Sequence, residues 1–230
     1  MVAEAFPQNQ TTAVLFSAGL DSAVLLAQTA RAGGAQPIYV RSGLAWETQE
    51  FECAERLLRG FPGGGRVLPL VTLTADMRDV YPAHHWAVRG DAPAFDTPDE
   101  DVYIEGRNIV LLAKASVFMA RAKLTRVVLG PLAGNPFPDA TQEFFAAMGE
   151  ALSSGLAAPI RIDAPLAELH KEDVIRLGAE LGVPFELTLS CMQPAGGLHC
   201  GRCSKCRERR DGFSAAGIAD PAPYASDPPR

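Results

Sequence analysis

Residues 11–22, Thr-Thr-Ala-Val-Leu-Phe-Ser-Ala-Gly-Leu-Asp-Ser, constrain the fold more than any other stretch. Thr11 to Phe16 is a short apolar run rich in β-formers and reads as a buried strand. Ser17 to Ser22 form a small hydroxyl-rich turn, after which Ala23-Val-Leu-Leu-Ala27 begins an apolar helix. Such a strand–turn–helix junction gathers orphan backbone N–H groups and the positive end of a helix dipole at one point, which favours an anion. Ser17 and Ser22 add hydroxyl donors, and Gly19 lets the backbone come close to a phosphate. The turn lacks the Gly-Lys-Ser/Thr ending of a Walker A loop. Taken alone, the stretch also reads as an ordinary βα turn that happens to hold two serines.

The rest of the chain repeats the strand–helix rhythm. Pro37-Ile-Tyr-Val-Arg41 reads as a second strand and Trp46 to Leu58 as a helix, closed by Gly60 and the turn at Pro62–Gly65. Arg66 to Leu73 reads as a third strand, in which Pro69 indicates an edge or bulged position. Further helices are expected at Ile109–Ala122, Thr141–Leu156 and His170–Leu181, and strands at Arg126–Gly130 and Pro159–Asp163. Alternation at this spacing implies βαβ units and a parallel sheet. The fold class is therefore α/β, a Rossmann-like open parallel sheet with a small C-terminal module. In open sheets of this kind ligands sit beyond the carboxyl ends of the strands, so Ser17, Arg41 and Gly130 should converge on one crevice. Residues 74–106 break the rhythm with Pro82, Pro93, Pro98 and the pair His84-His85. They read either as a lid or binding loop or as a passive surface insertion.

Composition narrows the function classes. A net charge of −6 argues against binding along an extended nucleic-acid surface. No apolar run approaches the ~20 residues that span a bilayer. Met1-Val-Ala-Glu-Ala-Phe-Pro7 carries no secretory signal pattern. The expected compartment is a reducing one, the cytoplasm, where clustered cysteines bind metal rather than form disulfides. Cys191, Cys200, Cys203 and Cys206 follow the spacing C-x8-C-x2-C-x2-C. Together with Gly196, Gly197 and Gly201 they suit a tetrahedral zinc site, with an iron–sulfur cluster as the alternative. Arg202, Lys205, Arg207, Arg209 and Arg210 either offset the roughly −2 charge of a four-thiolate zinc site or form a basic patch for tRNA. Cys53 reads as a small apolar residue. Arg107, beside Gly106 at a helix start, could fork onto phosphate, and Lys171 opens another helix; each is ambiguous alone. The expected units are a nucleotide-binding domain at 1–185, a zinc module at 186–215 and a proline-rich tail at 216–230, trailing over the surface or frayed.

Ser17-Ala-Gly-Leu-Asp-Ser22 resembles the Ser-Gly-Gly-x-Asp-Ser pyrophosphate loop of the PP-loop ATP pyrophosphatases, with Ala18 in place of the first glycine. With Gly106-Arg-Asn108, Gly130, Pro138-Asp139, Ala164-Pro-Leu166, Lys171, Ser190-Cys191, Cys200-Gly-Arg-Cys-Ser-Lys-Cys206 and Gly212-Phe213, the chain resembles the 7-cyano-7-deazaguanine synthases of queuosine-precursor biosynthesis. That resemblance implies the adenine-nucleotide alpha hydrolase (PP-loop) fold. It also implies an ATP-dependent carbon–nitrogen ligase acting on 7-carboxy-7-deazaguanine and ammonia, with Mg²⁺ and Zn²⁺. Ser17, Asp21, Ser22, Arg107 and Lys171 take the catalytic positions. Phe16, Ser17, Ala18, Gly19, Leu20, Asp21, Ser22, Val40, Arg41, Gly106, Arg107, Asn108 and Gly130 take those that hold nucleotide, and the four cysteines hold zinc. A homodimer is implied at family level only.

The chain departs from the family pattern at two places. Arg41-Ser-Gly-Leu-Ala-Trp-Glu47 stands where the family usually has Tyr-Gly-Gln, and Gly130–Asp139 is shorter than usual and is followed by Ala140. Both segments belong to the expected substrate half, so a paralogue adenylating another carboxylate or amide is a second reading. A PP-loop tRNA-modifying enzyme and a non-catalytic nucleotide-binding protein are the other two.

Overall fold

The computed structural model describes residues 11–63 and 66–229. Residues 1–10, Gly64 and Gly65 of the expected turn, and Arg230 lie outside the described residues. Five strands, β1 (Thr12–Leu15), β2 (Ala35–Arg41), β3 (Val71–Thr74), β4 (Arg126–Val128) and β5 (Arg161–Asp163), form one parallel sheet in the order β3-β2-β1-β4-β5. The helices are α1 (Leu20–Ala32), α2 (Glu47–Arg59), α3 (Trp86–Arg89), α4 (Arg107–Ala122), α5 (Gln142–Leu156), α6 (Lys171–Glu180) and α7 (Ser204–Ala216). The strands are apolar on both faces because helices cover both. Val14 and Val128 face the layer that holds Leu25, Val174 and Phe213, whereas Ala13, Ile38 and Val127 face Leu112, Met119 and Phe145. The strand order reverses between β1 and β4, which opens a crevice above their carboxyl ends.

Two sequence expectations shift. The third strand begins at Val71, not Arg66. Val67 makes a single bridge to Ala35, and the Pro69 carbonyl accepts a 2.7 Å hydrogen bond from Gln36 Nε2. Proline cannot donate into the ladder, so pairing restarts beyond it, and β3 is an edge strand as Pro69 implied. The fourth helix opens two residues early, at Arg107, with Gly106 at its N-cap at φ 73°. That left-handed conformation favours glycine.

The packing of α6 against α1 gives a direct test of the core. A methyl group added at Gly178 would lie 2.5 Å from Phe185 Cζ and 2.6 Å from Val24 Cγ2. Gly178→Ala should therefore destabilise by about 1–3 kcal/mol through overpacking, despite alanine's ~1 kcal/mol helix advantage. The check is a lowered urea midpoint at unchanged m-value.

Residues 74–106 are not a passive insertion. Met77, Tyr81, Ala87, Val102 and Ile104 are buried in the core, and Val102, Tyr103 and Ile104 wall the crevice. His84 is exposed, whereas His85 caps α3 through a 3.2 Å bond from the Ala87 N–H to Nδ1.

The tail is not frayed over residues 217–229. Its prolines hold an extended path that pairs with the cysteine module. The His199 N–H donates to the Pro223 carbonyl (3.2 Å), the Ala225 N–H to that of His199 (2.8 Å), and Ser226 Oγ to that of Cys200 (2.6 Å). Asp220 accepts from Arg209 at 2.9–3.1 Å and from Tyr224 Oη. Arg209 is buried, so this ion pair fixes the strap to α7. Among the described residues no helix is long and apolar enough to cross a membrane.

Candidate active site

The β1–α1 turn is held by its own hydroxyls. Ser22 Oγ donates to the Gly19 carbonyl (3.0 Å), lies 3.3 Å from Ser17 Oγ, and accepts from the Ser17 N–H at 3.3 Å. The N-terminus of the 13-residue α1 opens just beyond, so its free N–H groups and dipole face the same space. Ala18 sits in the left-handed region at φ 58°, fully buried, and its carbonyl accepts from the Leu189 N–H at 2.9 Å. Ala18 thus takes a conformation that glycine adopts without strain, with its methyl group packed inward.

Two cavities meet at this turn. The first, of about 280 Å³, lies between the strand ends and α4. Its apolar walls are Ile38, Val40, Leu111 and Leu129, and its polar margin carries Ser17, Ser22, Arg107 and Asn108. The second, of about 250 Å³, runs from the turn toward α7 and the cysteine module. Ser17, Gly19, Asp21, Glu50 and Arg107 border both.

The charges around the turn are ordered. Lys171 Nζ lies 2.7 and 2.9 Å from the two Asp21 oxygens and 2.6 Å from Glu208 Oε1, while Lys205 Nζ lies 2.6 Å from Glu208 Oε2. Burial alone would lower the affinity of Lys171 for its proton, but Asp21 and Glu208 outweigh it and hold the ammonium above the usual lysine range. Burial likewise works against the Glu208 charge, yet Lys171 and Lys205 bring its pKa down to about 2. The Asp139 carboxylate accepts from the Asn108 backbone and side-chain N–H groups at 3.1 and 3.3 Å, fixing the first turn of α4. Arg107, beside it, has a buried Nε with no hydrogen-bond partner among the described residues. A buried donor left unpaired at a helix N-terminus is costly unless a ligand completes it. Glu50 accepts from Tyr39 Oη at 2.7 Å, and burial raises the pKa of its carboxyl.

Most of the sequence-derived residues therefore converge. Phe16, Ser17, Gly19, Asp21, Ser22, Val40, Arg107, Asn108 and Gly130 line the first cavity, and Leu20 and Lys171 the second. Arg41 does not join them. Its guanidinium lies 4.0 Å from the centre of the Phe51 ring and 3.7 Å from Glu47 and lines neither cavity. Gly106 acts through the α4 cap and Ala18 through the loop backbone. The sequence reading missed Tyr39, Glu50, Trp46, Trp86 and Glu208. Alternation along β2 assigns side chains to faces but not to the crevice, and nothing around Glu208 marked it as the second partner of Lys171.

Cys191, Cys200, Cys203 and Cys206 come together with all Sγ atoms within 4.8 Å of one another, a cluster able to hold a metal ion. The separations of Cys200–Cys206, Cys203–Cys191 and Cys203–Cys206 are 3.9, 3.9 and 3.5 Å. The N–H groups of Gln193 and Cys200 point at Cys191 Sγ and that of Arg202 at Cys200 Sγ, as suits thiolates. At Gly201, φ 81°, any side chain would run into the Ser226 carbonyl of the strap. The neighbouring basic residues each have a partner in the chain: Arg202, itself exposed, bonds Ser226, Lys205 pairs with Glu208, Arg207 bonds the Thr97 carbonyl, Arg209 pairs with Asp220, and Arg210 stacks on Tyr224.

The family model for queuosine biosynthesis protein QueC matches residues 11–217, from the first strand to the end of α7. The chain belongs to the QueC family. A 7-cyano-7-deazaguanine synthase of Anaeromyxobacter dehalogenans is 35% identical over 235 residues, covering 97% of this chain and 100% of that protein. One from Methanothrix thermoacetophila is 33% identical over 219 residues, covering 91% and 96%. Among solved structures, a predicted subunit of tRNA methyltransferase from Methanocaldococcus jannaschii is 15% identical with a TM-score of 0.48, covering 95% of this chain and 93% of that one, a likeness too loose to carry weight. QueC membership makes the chain an enzyme of the QueC type with the PP-loop fold, and the matched span holds both cavities and all four clustered cysteines. The strap from Ile218 onward lies outside it.

Proposed function

We propose that the protein is a 7-cyano-7-deazaguanine synthase, an ATP-dependent ligase that converts 7-carboxy-7-deazaguanine and ammonia into the nitrile. The observation that carries this is the meeting of the serine turn, the Arg107 Nε left without a partner among the described residues, and Lys171 at the switch point of the sheet, in a chain of which 97% matches a 7-cyano-7-deazaguanine synthase. The first cavity, with apolar walls and polar groups at its margin, suits an adenosine whose phosphates reach the turn. The second suits the acceptor. In this reading the α-phosphate meets the acceptor carboxylate at their shared border.

The reaction then runs in two halves. A carboxylate oxygen attacks the α-phosphorus, the bond to the β-phosphate oxygen breaks, and pyrophosphate leaves. Ammonia attacks the acyl adenylate and expels AMP, leaving the amide. The amide oxygen attacks the α-phosphorus of a second ATP and a second pyrophosphate leaves; loss of AMP and of the two nitrogen-bound protons then leaves the nitrile. The protein positions the reactants and neutralises charge as it develops. Ser17, Ser22 and the turn N–H groups hold pyrophosphate, while Arg107 and Lys171 take phosphate oxygens. Asp21 offers the carboxylate for Mg²⁺, which when bound shields the phosphate charge.

The cysteine cluster fits zinc. With Zn–S bonds of about 2.3 Å a tetrahedral site spaces its sulfurs by about 3.8 Å, close to the 3.5–3.9 Å of three sulfur pairs in a cluster whose members all lie within 4.8 Å. An iron–sulfur cube would hold its thiolates much farther apart. All four positions are thiolate, so the ion's part is structural.

The adenylation step is tested with acceptor carrying ¹⁸O in its carboxylate. The expected result is ¹⁸O in AMP and none in pyrophosphate. Label in inorganic phosphate, with ADP as the nucleotide product, would contradict it.

A further inference from the structure

Trp46 and Trp86 are stacked, with ring centroids 5.7 Å apart and planes 11° from parallel, and both line the second cavity. Trp46 comes from the segment after β2 where the chain departs from the family pattern, and Trp86 opens α3 within residues 74–106. The row continues beyond Trp86. His85 stacks on Trp86 at 5.7 Å and on Tyr81 at 4.8 Å, and Tyr81 Oη is anchored to the Glu105 carbonyl at 2.7 Å. Of these packed rings, Trp46 and Trp86 give the cavity an aromatic wall, while Val102, Ile104 and Phe137 supply further apolar surface. Glu50 brings a carboxyl group into the same space, and Lys205 and Lys171 stand toward α7.

We infer that the Trp46–Trp86 pair is the platform on which the flat heteroaromatic ring of the acceptor lies. The inference rests on the synthase reading and adds to it the element that selects the ring. A planar, electron-rich bicycle gains most from such a wall, because stacking on an aromatic face needs no particular pattern of ring substituents. The Glu50 carboxyl provides the acceptor that an amino-pyrimidinone edge requires, since its ring N–H and exocyclic amine would otherwise be buried unpaired. The cavity therefore selects bicyclic amino-oxo heteroaromatic carboxylates over aliphatic ones.

The chain contains two tryptophans, and both are in this wall. Intrinsic fluorescence therefore reports on the platform directly. Saturating 7-carboxy-7-deazaguanine should quench emission of the wild-type protein, and unchanged emission would overturn the inference. Steady-state kinetics supply the second arm, using Trp86→Ala and Trp86→Phe. Loss of stacking on one ring predicts a roughly 5- to 100-fold higher KM for the acceptor in Trp86→Ala, with the KM for ATP within about twofold of wild type. Trp86→Phe should recover most of the loss. An unchanged acceptor KM in Trp86→Ala, with the wild type making nitrile, overturns the platform and leaves the synthase reading standing. A wild type that makes neither AMP nor nitrile from this acceptor overturns the synthase reading, and the platform falls with it. If Trp86→Ala is insoluble, the quenching of the wild type and the kinetics of Trp86→Phe decide.

Discussion

Lys171→Met lowers kcat by about 10²–10³, the usual cost of removing one preorganised group that meets developing charge, and it also destabilises the fold. Lys171 stands between Asp21 and Glu208 with its side chain 16% exposed. Without it, two carboxylates face each other across a partly dry gap. A fully buried broken pair costs about 3–5 kcal/mol. Solvent reaches Asp21 and Glu208, at 28% and 25% exposure, so the expected loss is about 1–3 kcal/mol. The pH dependence separates charge from packing. The pKa of Glu208 is held at about 2 in the fold, against an ordinary 4.5. Its contribution to stability is therefore complete above about 4.5 and is lost as pH falls toward 2. Lys171 is shifted upward, so its contribution is complete below its ordinary value of 10.5 and is lost only as pH rises through a still higher folded value. In Lys171→Met the Glu208 carboxyl rises, and acid unfolding should begin at higher pH than in the wild type. Adding Glu208→Gln to that variant should restore part of the stability and none of the kcat. Urea melts at several pH values and steady-state kinetics provide both readouts.

Cys206→Ser, or removal of the metal by a chelator, should open the C-terminal module and abolish turnover. Cys206 is fully buried in the first turn of α7, which also carries Lys205 and Glu208. The strap is pinned to Cys200 and Gly201 through Ser226, and to Arg209 through Asp220. Structural zinc contributes an apparent ~10–16 kcal/mol in small modules, comparable to the whole stability of a domain. Its loss should free α7, leave Lys171 with Asp21 alone, and uncover the second cavity. A fall in melting temperature of roughly 10 °C or more is expected. Hydrogen exchange should quicken in α7 and the strap while β1, β2 and β4 stay protected. Metal analysis should find one zinc ion per wild-type chain and almost none in the variant.

The extent of sequence legibility follows from how local each signal is. The β1–α1 turn, the cysteine spacing and the α4 start are written in consecutive residues, and the structure brings Ser17, Arg107 and the four cysteines where those motifs pointed. Lys171 was legible as a position but not as a bridge, because its partners Asp21 and Glu208 lie far away in the chain. Arg41 was placed on the crevice by the strand-end rule, yet it packs on the neighbouring Phe51 ring and Glu47 and lines neither cavity. The Tyr81–His85–Trp86–Trp46 row was illegible for a similar reason. It is assembled from two irregular segments, and no periodicity announces a stack formed by tertiary contact. Of the two readings of the tail, the surface path holds and fraying does not, because its extended backbone pairs with His199.

The most direct test of the account is mass spectrometry of the zinc-loaded protein incubated with Mg-ATP, ammonia and 7-carboxy-7-deazaguanine. The account predicts the nitrile together with AMP and pyrophosphate, at two AMP per nitrile, since both the acid and the amide are adenylated. Bound ATP with neither AMP nor nitrile formed would contradict it.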